Sequence, residues 1–314
     1  MYLNSIAFCL PDQSIDNIKQ AQFFNKSQDF ITSKIGAYKL PRKLSDQDSS
    51  DLATIALNSL LLKSSFSKEE IDLLCVVTQN PARKGIPHTS AIVHSNLGLP
   101  TTCSVFDLSL GCSGYIYGLS VVASFMKVNN LKNGILITSD PYSDILNRND
   151  PNTSMLFGDA ATATLIQNCP TKHSYVIGKL YGYSNGKQGD SIQVNEAGKL
   201  VMNGRAVFNF ALKQVPEQIK KCLIEEKVEI GDVDAVVLHQ GSYAIVDAVS
   251  RSFPGHEDKF CKRMGETGNT VSSTIPLILE SLMTGEELLP KTIIACGFGV
   301  GLSIGTMCLK LSSN

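Results

Sequence analysis

The residues with the most chemical promise lie in Val105-Phe106-Asp107-Leu108-Ser109-Leu110-Gly111-Cys112-Ser113-Gly114-Tyr115. The run reads as a buried strand that stops at Gly111 and delivers Cys112 to the start of a helix. A cysteine there meets unpaired backbone N–H groups and the positive end of the helix dipole, both of which favour thiolate over thiol. The flanking glycines leave room for a substrate to approach. Together these features predict a cysteine nucleophile. The plainer reading of a cysteine is a small core hydrophobe. Cys9, Cys75, Cys222, Cys296 and Cys308 sit in apolar runs that fit that reading, and Cys103, Cys169 and Cys261 carry no partner signature.

Two motifs in the second half of the chain supply candidate partners. Val237-Leu238-His239-Gln240-Gly241-Ser242 puts His239 at the end of a buried strand, and Met264-Gly265-Glu266-Thr267-Gly268-Asn269-Thr270 puts Asn269 in a glycine-bordered turn before a helix. A lone His is more often a satisfied core or surface residue, and an Asn between Gly and Thr is usually a turn residue. Gly297-Phe298-Gly299-Val300-Gly301 reads as a hairpin turn between core strands, or as a bend that aims backbone N–H groups at an oxyanion. Strand ends are where α/β folds gather functional groups, so Cys, His and Asn are expected to converge.

The elements that must position these residues alternate as in an α/β protein. Ser49, Ser50 and Asp51 open a predicted helix carrying Leu52, Ile55, Ala56, Leu60 and Leu61. Ser67 and Glu70 form a capping-box pattern before a predicted strand, Ile71 to Thr78. A helix from His88 to Leu97, the strand reaching Leu110, the Cys112 helix and strands Ile135 to Thr138 and Ala161 to Ile166 follow. Later strands at Val233 to Leu238, Thr292 to Cys296 and Leu302 to Leu309 echo the earlier ones, which predicts duplicated halves, 1–166 and 167–314. Residues 167–200, rich in Gly, Asn, Ser and Lys, are the expected connection.

Composition narrows the field. The 314 residues are 43% hydrophobic and 18% charged with a net charge of −1, a globular balance with no bulk attraction to nucleic acid or anionic membrane. No apolar run approaches a membrane span. Nine cysteines without C-x-x-C spacing, and an opening that lacks the basic and apolar regions of a leader, predict a cytoplasmic protein with free thiols. His88, His94, His173, His239 and His256 are scattered, so no metal site is expected. No G-x-G-x-x-G or G-x-x-x-x-G-K-[ST] pattern supports a nucleotide cofactor.

The ordered set Gly111-Cys112-Ser113-Gly114, Phe157-Gly158-Asp159, His239-Gln240, Gly268-Asn269-Thr270 and Gly299-Val300-Gly301 resembles the thiolase-related condensing enzymes, within them most closely the β-ketoacyl-acyl-carrier-protein synthase III family. The resemblance runs from about Met1 to the last strand. It implies a five-layered αβαβα fold of two pseudo-symmetric halves, a homodimer, and no cofactor beyond acyl-coenzyme A or acyl carrier protein as substrates. It also implies a two-step reaction in which Cys112 takes an acyl group from a thioester. A malonyl thioester, such as malonyl carrier protein, then loses CO2 and attacks that acyl group. His239 and Asn269 would hydrogen-bond the enolate, and the N–H groups of Cys112 and Val300 would form the oxyanion hole.

The resemblance also assigns substrate contacts, several to residues that depart from the family pattern. Phe30 and Pro151 stand where a Trp and an Arg sandwich adenine in the best-studied branch, and Lys34 stands near another usual Arg. Asn209 and Ala244 replace basic residues that dock carrier protein. Ser242 replaces an amide, and Ile86 replaces an aromatic that shapes the acyl pocket across the dimer. Phe157 completes the expected substrate wall, and Val300 replaces a glycine while keeping its N–H. The chemistry is therefore expected to be intact and donor recognition altered. Three other readings compete: acyl transfer from Cys112 to an alcohol or amine, a non-catalytic partner subunit, and a hydrolase in which Asn269 orients His239.

Overall fold

The computed structural model describes residues 1–285 and 288–313; residue 314, where the second half was expected to end, lies outside them. In the first half, Tyr2–Cys9 pairs antiparallel with Ala161–Gln167, which pairs antiparallel with Asn133–Ser139. Leu73–Val77 then adds in parallel, and Ser104–Leu108 adds in parallel at the edge. The second half repeats that order. Tyr175–Ile177 and Tyr181–Ser184 share one edge of Ser303–Leu311, whose other edge pairs with Thr292–Gly299, followed by Ala235–Leu238 and a parallel bridge from Val236 to Phe260. Tyr175–Ile177 also pairs with Tyr2–Cys9, so the two arrays form one continuous ladder.

Alternation along the strands makes the layers. Leu73, Cys75 and Val77 point into a central core with Ala235 and Val237, and that core encloses Tyr115, Ile116 and Leu119 of the helix Gly114–Val128 and Ile275, Ile278 and Leu279 of the helix Thr274–Thr284. Leu74 and Val76 point the other way, onto Leu52, Ala56 and Leu60 of the helix Ser49–Ser64. Val236 and Leu238 face an outer core with Phe210, Val215 and Val249 from the helices Gly204–Glu226 and Tyr243–Ser250. Strands apolar on both faces belong between two helical layers, and five layers result. No helix among the described residues is long and apolar enough to cross a membrane.

Several local expectations shift. The helix Ser49–Ser64 is capped by Asp48, whose side chain accepts Ser50 N–H while Asp51 accepts the Asp48 N–H, so the cap lies one residue before the expected Ser49 and forms a capping box that the sequence reading did not place there. Ser67 makes no cap bond; its hydroxyl donates to Glu69. The strand expected to reach Leu110 ends at Leu108, and the helix expected at Cys112 begins at Gly114. Residues 167–200 are not a plain connection, since Tyr175–Ile177 and Tyr181–Ser184 enter the sheet. Those strands are short, and their partners at Tyr2–Leu3 and Ser303–Leu311 are more than a hundred residues away, so no local pattern marks them.

Candidate active site

Cys112 sits in a tight turn closed by Gly114 N–H on Gly111 C=O at 2.7 Å, and Ser113 pins that turn to the far half through Ser303 at 2.8 Å between hydroxyls. The glycines of the 297–301 bend then let a second chain touch the nucleophile. A Cβ on Gly297 would lie 2.8 Å from the Cys112 carbonyl, and one on Gly299 would lie 2.8 Å from the Cys112 sulfur. Contact at that range admits only glycine. The backbone N–H groups of Val300 and of Cys112 itself consequently reach the sulfur.

Asn269 arrives through a crossing of the two halves. Its N–H donates to Leu156 C=O at 2.9 Å and its carbonyl accepts Gly158 N–H at 3.0 Å. Gly158 is required there, because a Cβ would meet the Thr267 carbonyl at 2.0 Å. The Asn269 Oδ1 accepts Val271 N–H at 2.9 Å. An N–H can only donate, so this contact fixes the carboxamide and leaves Nδ2 as its free end. Val271 holds a left-handed φ of 54°, a strained state for a β-branched residue and of a kind found at functional sites.

His239 follows the strand Ala235–Leu238, with its N–H on Cys296 C=O at 2.9 Å. Its ring stands edge-on to Phe298 at 5.4 Å, and Nδ1 lies 2.8 Å from the Thr274 hydroxyl. The partner of the imidazole is thus Thr274, and Asn269 is occupied by Val271, so the hydrolase arrangement in which Asn orients His is not built.

The three side chains line one cavity of about 160 Å³, together with Val300, Phe157 and Ser242. Ser242 also caps the helix Tyr243–Ser250 by accepting Ile245 N–H. Phe30, Lys34, Ile86 and Asn209 are not among the lining residues. Phe30 is half-buried beneath the Lys26 ammonium, 5.5 Å from its ring, Lys34 and Asn209 are exposed on helices, and Ile86 is 85% exposed. Tyr142, Met202, Val207, Phe208 and Ile245, which the sequence did not single out, complete an apolar wall. Among the described residues, no group of three or more His, Cys, Asp or Glu could hold a metal ion.

Electrostatics overturn one expectation. Burial pushes the Cys112 thiol up to about 12, against the pull of the two N–H groups, and the nearby Asp140 adds to the rise. Burial also pushes His239 down to about 3, opposed by the Val271 carbonyl. The helix end helps a thiolate far less than the apolar wall penalises it, so the resting site holds a thiol, a neutral imidazole and a carboxamide. Iodoacetamide should therefore alkylate Cys112 about tenfold faster per pH unit from pH 7 to 10, following the thiolate fraction. Peptide mapping of the adduct measures this, and a rate already level between pH 6 and 8 would show a thiolate at rest.

Sequence reading also missed Asp140, which lies just past the strand Asn133–Ser139 and is fully buried. Its carboxylate accepts Gln79 N–H at 2.7 Å, the Thr78 hydroxyl at 3.3 Å and the Ser272 hydroxyl. One side chain thereby ties the turn beneath Gly111 to the segment carrying Asn269 and Thr274. Burial raises it to about 6 despite these donors.

Comparison with known proteins identifies the family. Residues 106–186 match the family 3-oxoacyl-[acyl-carrier-protein] synthase III, and residues 223–311 match its C-terminal counterpart. The chain is 30% identical to the β-ketoacyl-[acyl-carrier-protein] synthase III of Streptococcus sanguinis strain SK36 over 98% of both chains. It is likewise 30% identical to that of Streptococcus pneumoniae strain Hungary19A-6, again over 98% of both. Among solved structures, 3-oxoacyl-[acyl-carrier-protein] synthase III from Aquifex aeolicus VF5 superposes with a TM-score of 0.90 at 26% identity, over 98% of this chain and 99% of that one. With its fold and its sequence both matching over nearly full length, the chain belongs to the β-ketoacyl-[acyl-carrier-protein] synthase III family.

Proposed function

We propose that the protein loads an acyl group onto Cys112 and condenses it with malonyl carrier protein, or a related malonyl thioester, to give a 3-oxoacyl thioester. The observation that carries this reading is the free Nδ2 of Asn269 beside His239 in the same apolar cavity as the Cys112 sulfur. In the first step the sulfur forms a bond to the acyl carbon and the donor thiol leaves with the proton that Cys112 gives up. In the second, the malonyl carboxylate departs as CO2 and its electron pair becomes an enolate. The enolate carbon then attacks the acyl carbon, and the Cys112 thiolate leaves and recovers a proton.

Two charges develop, and each has its own donors. The enolate oxygen is assigned to His239 and Asn269, and the tetrahedral oxyanion to the N–H groups of Cys112 and Val300. Neutral donors suit both, because a carboxylate in either position would repel the forming charge. Acyl transfer to an alcohol or amine has no comparable use for the Asn269 donor. The scheme calls for no metal or cofactor; coenzyme A and carrier protein enter as substrates. Phe30, Lys34, Ile86, Asn209 and Ser242 belong to donor recognition in this reading, and 1–166 and 167–314 are its two halves.

The reading includes a homodimer in the cytoplasm. The strand Ser104–Leu108 is a sheet edge whose Phe106 and Leu108 are only partly buried, and an unpaired apolar edge favours a second copy of the chain. Ile86, 85% exposed on the monomer, is an apolar side chain suited to such a contact. The cysteines of the described residues are all unpaired, as in a reducing compartment.

Intact-mass analysis tests the central step. Incubation with a panel of acyl-coenzyme A and acyl-carrier thioesters should add one acyl mass to the wild-type chain, and malonyl carrier protein should then discharge it with release of CO2. Acylation without any malonyl decarboxylation would point to the transferase reading instead.

A further inference from the structure

A neutral imidazole carries one proton, and the nitrogen that carries it decides what His239 offers the cavity. With the proton on Nε2 the ring is a donor to an enolate. With the proton on Nδ1 it presents a lone pair that repels one. No carboxylate contacts the ring among the described residues; its only side-chain hydrogen-bond partner is the Thr274 hydroxyl, 2.8 Å from Nδ1 and 3% exposed.

That hydroxyl has two places to put its proton, the imidazole at 2.8 Å and the Val271 carbonyl at 3.3 Å. The longer contact lies outside the usual range for an O–H···O bond, and the shorter one lies within reach of a good hydrogen bond. We propose that Thr274 is a positioning residue that donates to Nδ1 of His239, so that the ring presents Nε2–H to the cavity. Val271 then serves both donors of the site. Its N–H orients the Asn269 carboxamide, and its carbonyl, which already bears on the imidazole, is the competing acceptor that would hold an Nδ1 proton once the hydroxyl is lost. The proposal rests on the enolate assigned to this cavity.

Thr274→Val keeps the shape of the side chain and removes its proton, and Thr274→Ser restores the hydroxyl. Nitrogen-15 spectra of the His239 ring should show the proton on Nε2 in the wild type and in Thr274→Ser, and on Nδ1 in Thr274→Val. Acyl loading of Cys112 in Thr274→Val should stay within about threefold of wild type while malonyl decarboxylation falls about 100-fold, as for loss of one oxyanion donor. Thr274→Ser should recover to within about threefold. A wild-type ring protonated on Nδ1 overturns the proposal, as does an equal loss of loading and decarboxylation in Thr274→Val, the mark of a merely structural role. If Thr274→Val does not fold, the wild-type and Thr274→Ser spectra decide alone. A wild-type enzyme that neither loads acyl groups nor releases CO2 would sink the condensing reading, while the spectra would still locate the proton.

Discussion

Cys112→Ala should lose condensation by about four to six powers of ten while malonyl decarboxylation stays within about tenfold of wild type. The two activities separate because they use different atoms. Without the sulfur no acyl group can be held on the enzyme, and among the described residues no other cysteine lines the cavity. The decarboxylating donors keep their supports: Asn269 is fixed by Val271 and Leu156, and His239 by Thr274, with no contact through the Cys112 side chain. The variant should fold. Loss of the sulfur leaves the Val300 N–H without its acceptor, a cost of about 1–3 kcal/mol for a buried polar group. Radiolabelled CO2 release and mass analysis of the 3-oxoacyl product read the two activities side by side. Condensation surviving in this variant would place the nucleophile elsewhere. Decarboxylation collapsing with it would mean that the sulfur itself holds the malonyl group.

How much of this site the sequence revealed depended on how local each signal was. Cys112, His239 and Val300 sit at the junctions of apolar runs with glycine-rich bends, and a strand end followed by a turn can be read within ten residues. Asn269 was legible for the same reason, since Gly268 and the following helix frame it. The second-half strands Ala235–Leu238, Thr292–Gly299 and Ser303–Leu311 were legible as apolar runs that echo earlier ones. The supports were not legible. Thr274 lies in Val271-Ser272-Ser273-Thr274, which looks like any helix start, and its partner His239 is 35 residues away. Asp140 ends an ordinary strand and meets Ser272 across 132 residues. Nothing in either neighbourhood announces the contact.

The thiolate was misread for a related reason. The helix end that favours ionisation is written in the residues beside Cys112, so a local reading finds it. The burial that outweighs it belongs to a cavity whose lining, Tyr142, Phe157 and Phe298 included, is brought together only by the fold. Desolvation is a property of the assembled cavity, and it dominates both titratable groups of the site. The imidazole is pushed the opposite way from the thiol because its charged form is the protonated one.

Asn269→Asp should reduce malonyl decarboxylation about 1000-fold at pH 8, and the deficit should shrink as the pH falls. One carboxylate oxygen can still accept Val271 N–H, as Oδ1 does now. The other replaces the Nδ2 donor with a negative charge facing the enolate, so a donor is lost and a repulsion gained. Burial in the same apolar cavity must raise that carboxyl, and once protonated its O–H can donate where Nδ2 did. Activity should therefore climb from pH 8 towards pH 5, in the sense opposite to loss of a catalytic base. The comparison is best made in a Cys112→Ala background, which removes the pH dependence of acyl loading. In the parent His239, held near 3, stays neutral across the window; a carboxylate at 269 would raise it, and the proton shared between them is part of what position 269 contributes. Asp140, at about 6, titrates in variant and parent alike, so the ratio of their rates isolates position 269. A ratio that does not change with pH, or an Asp variant as fast as its parent at pH 8, would show that the carboxamide does not donate to the developing charge.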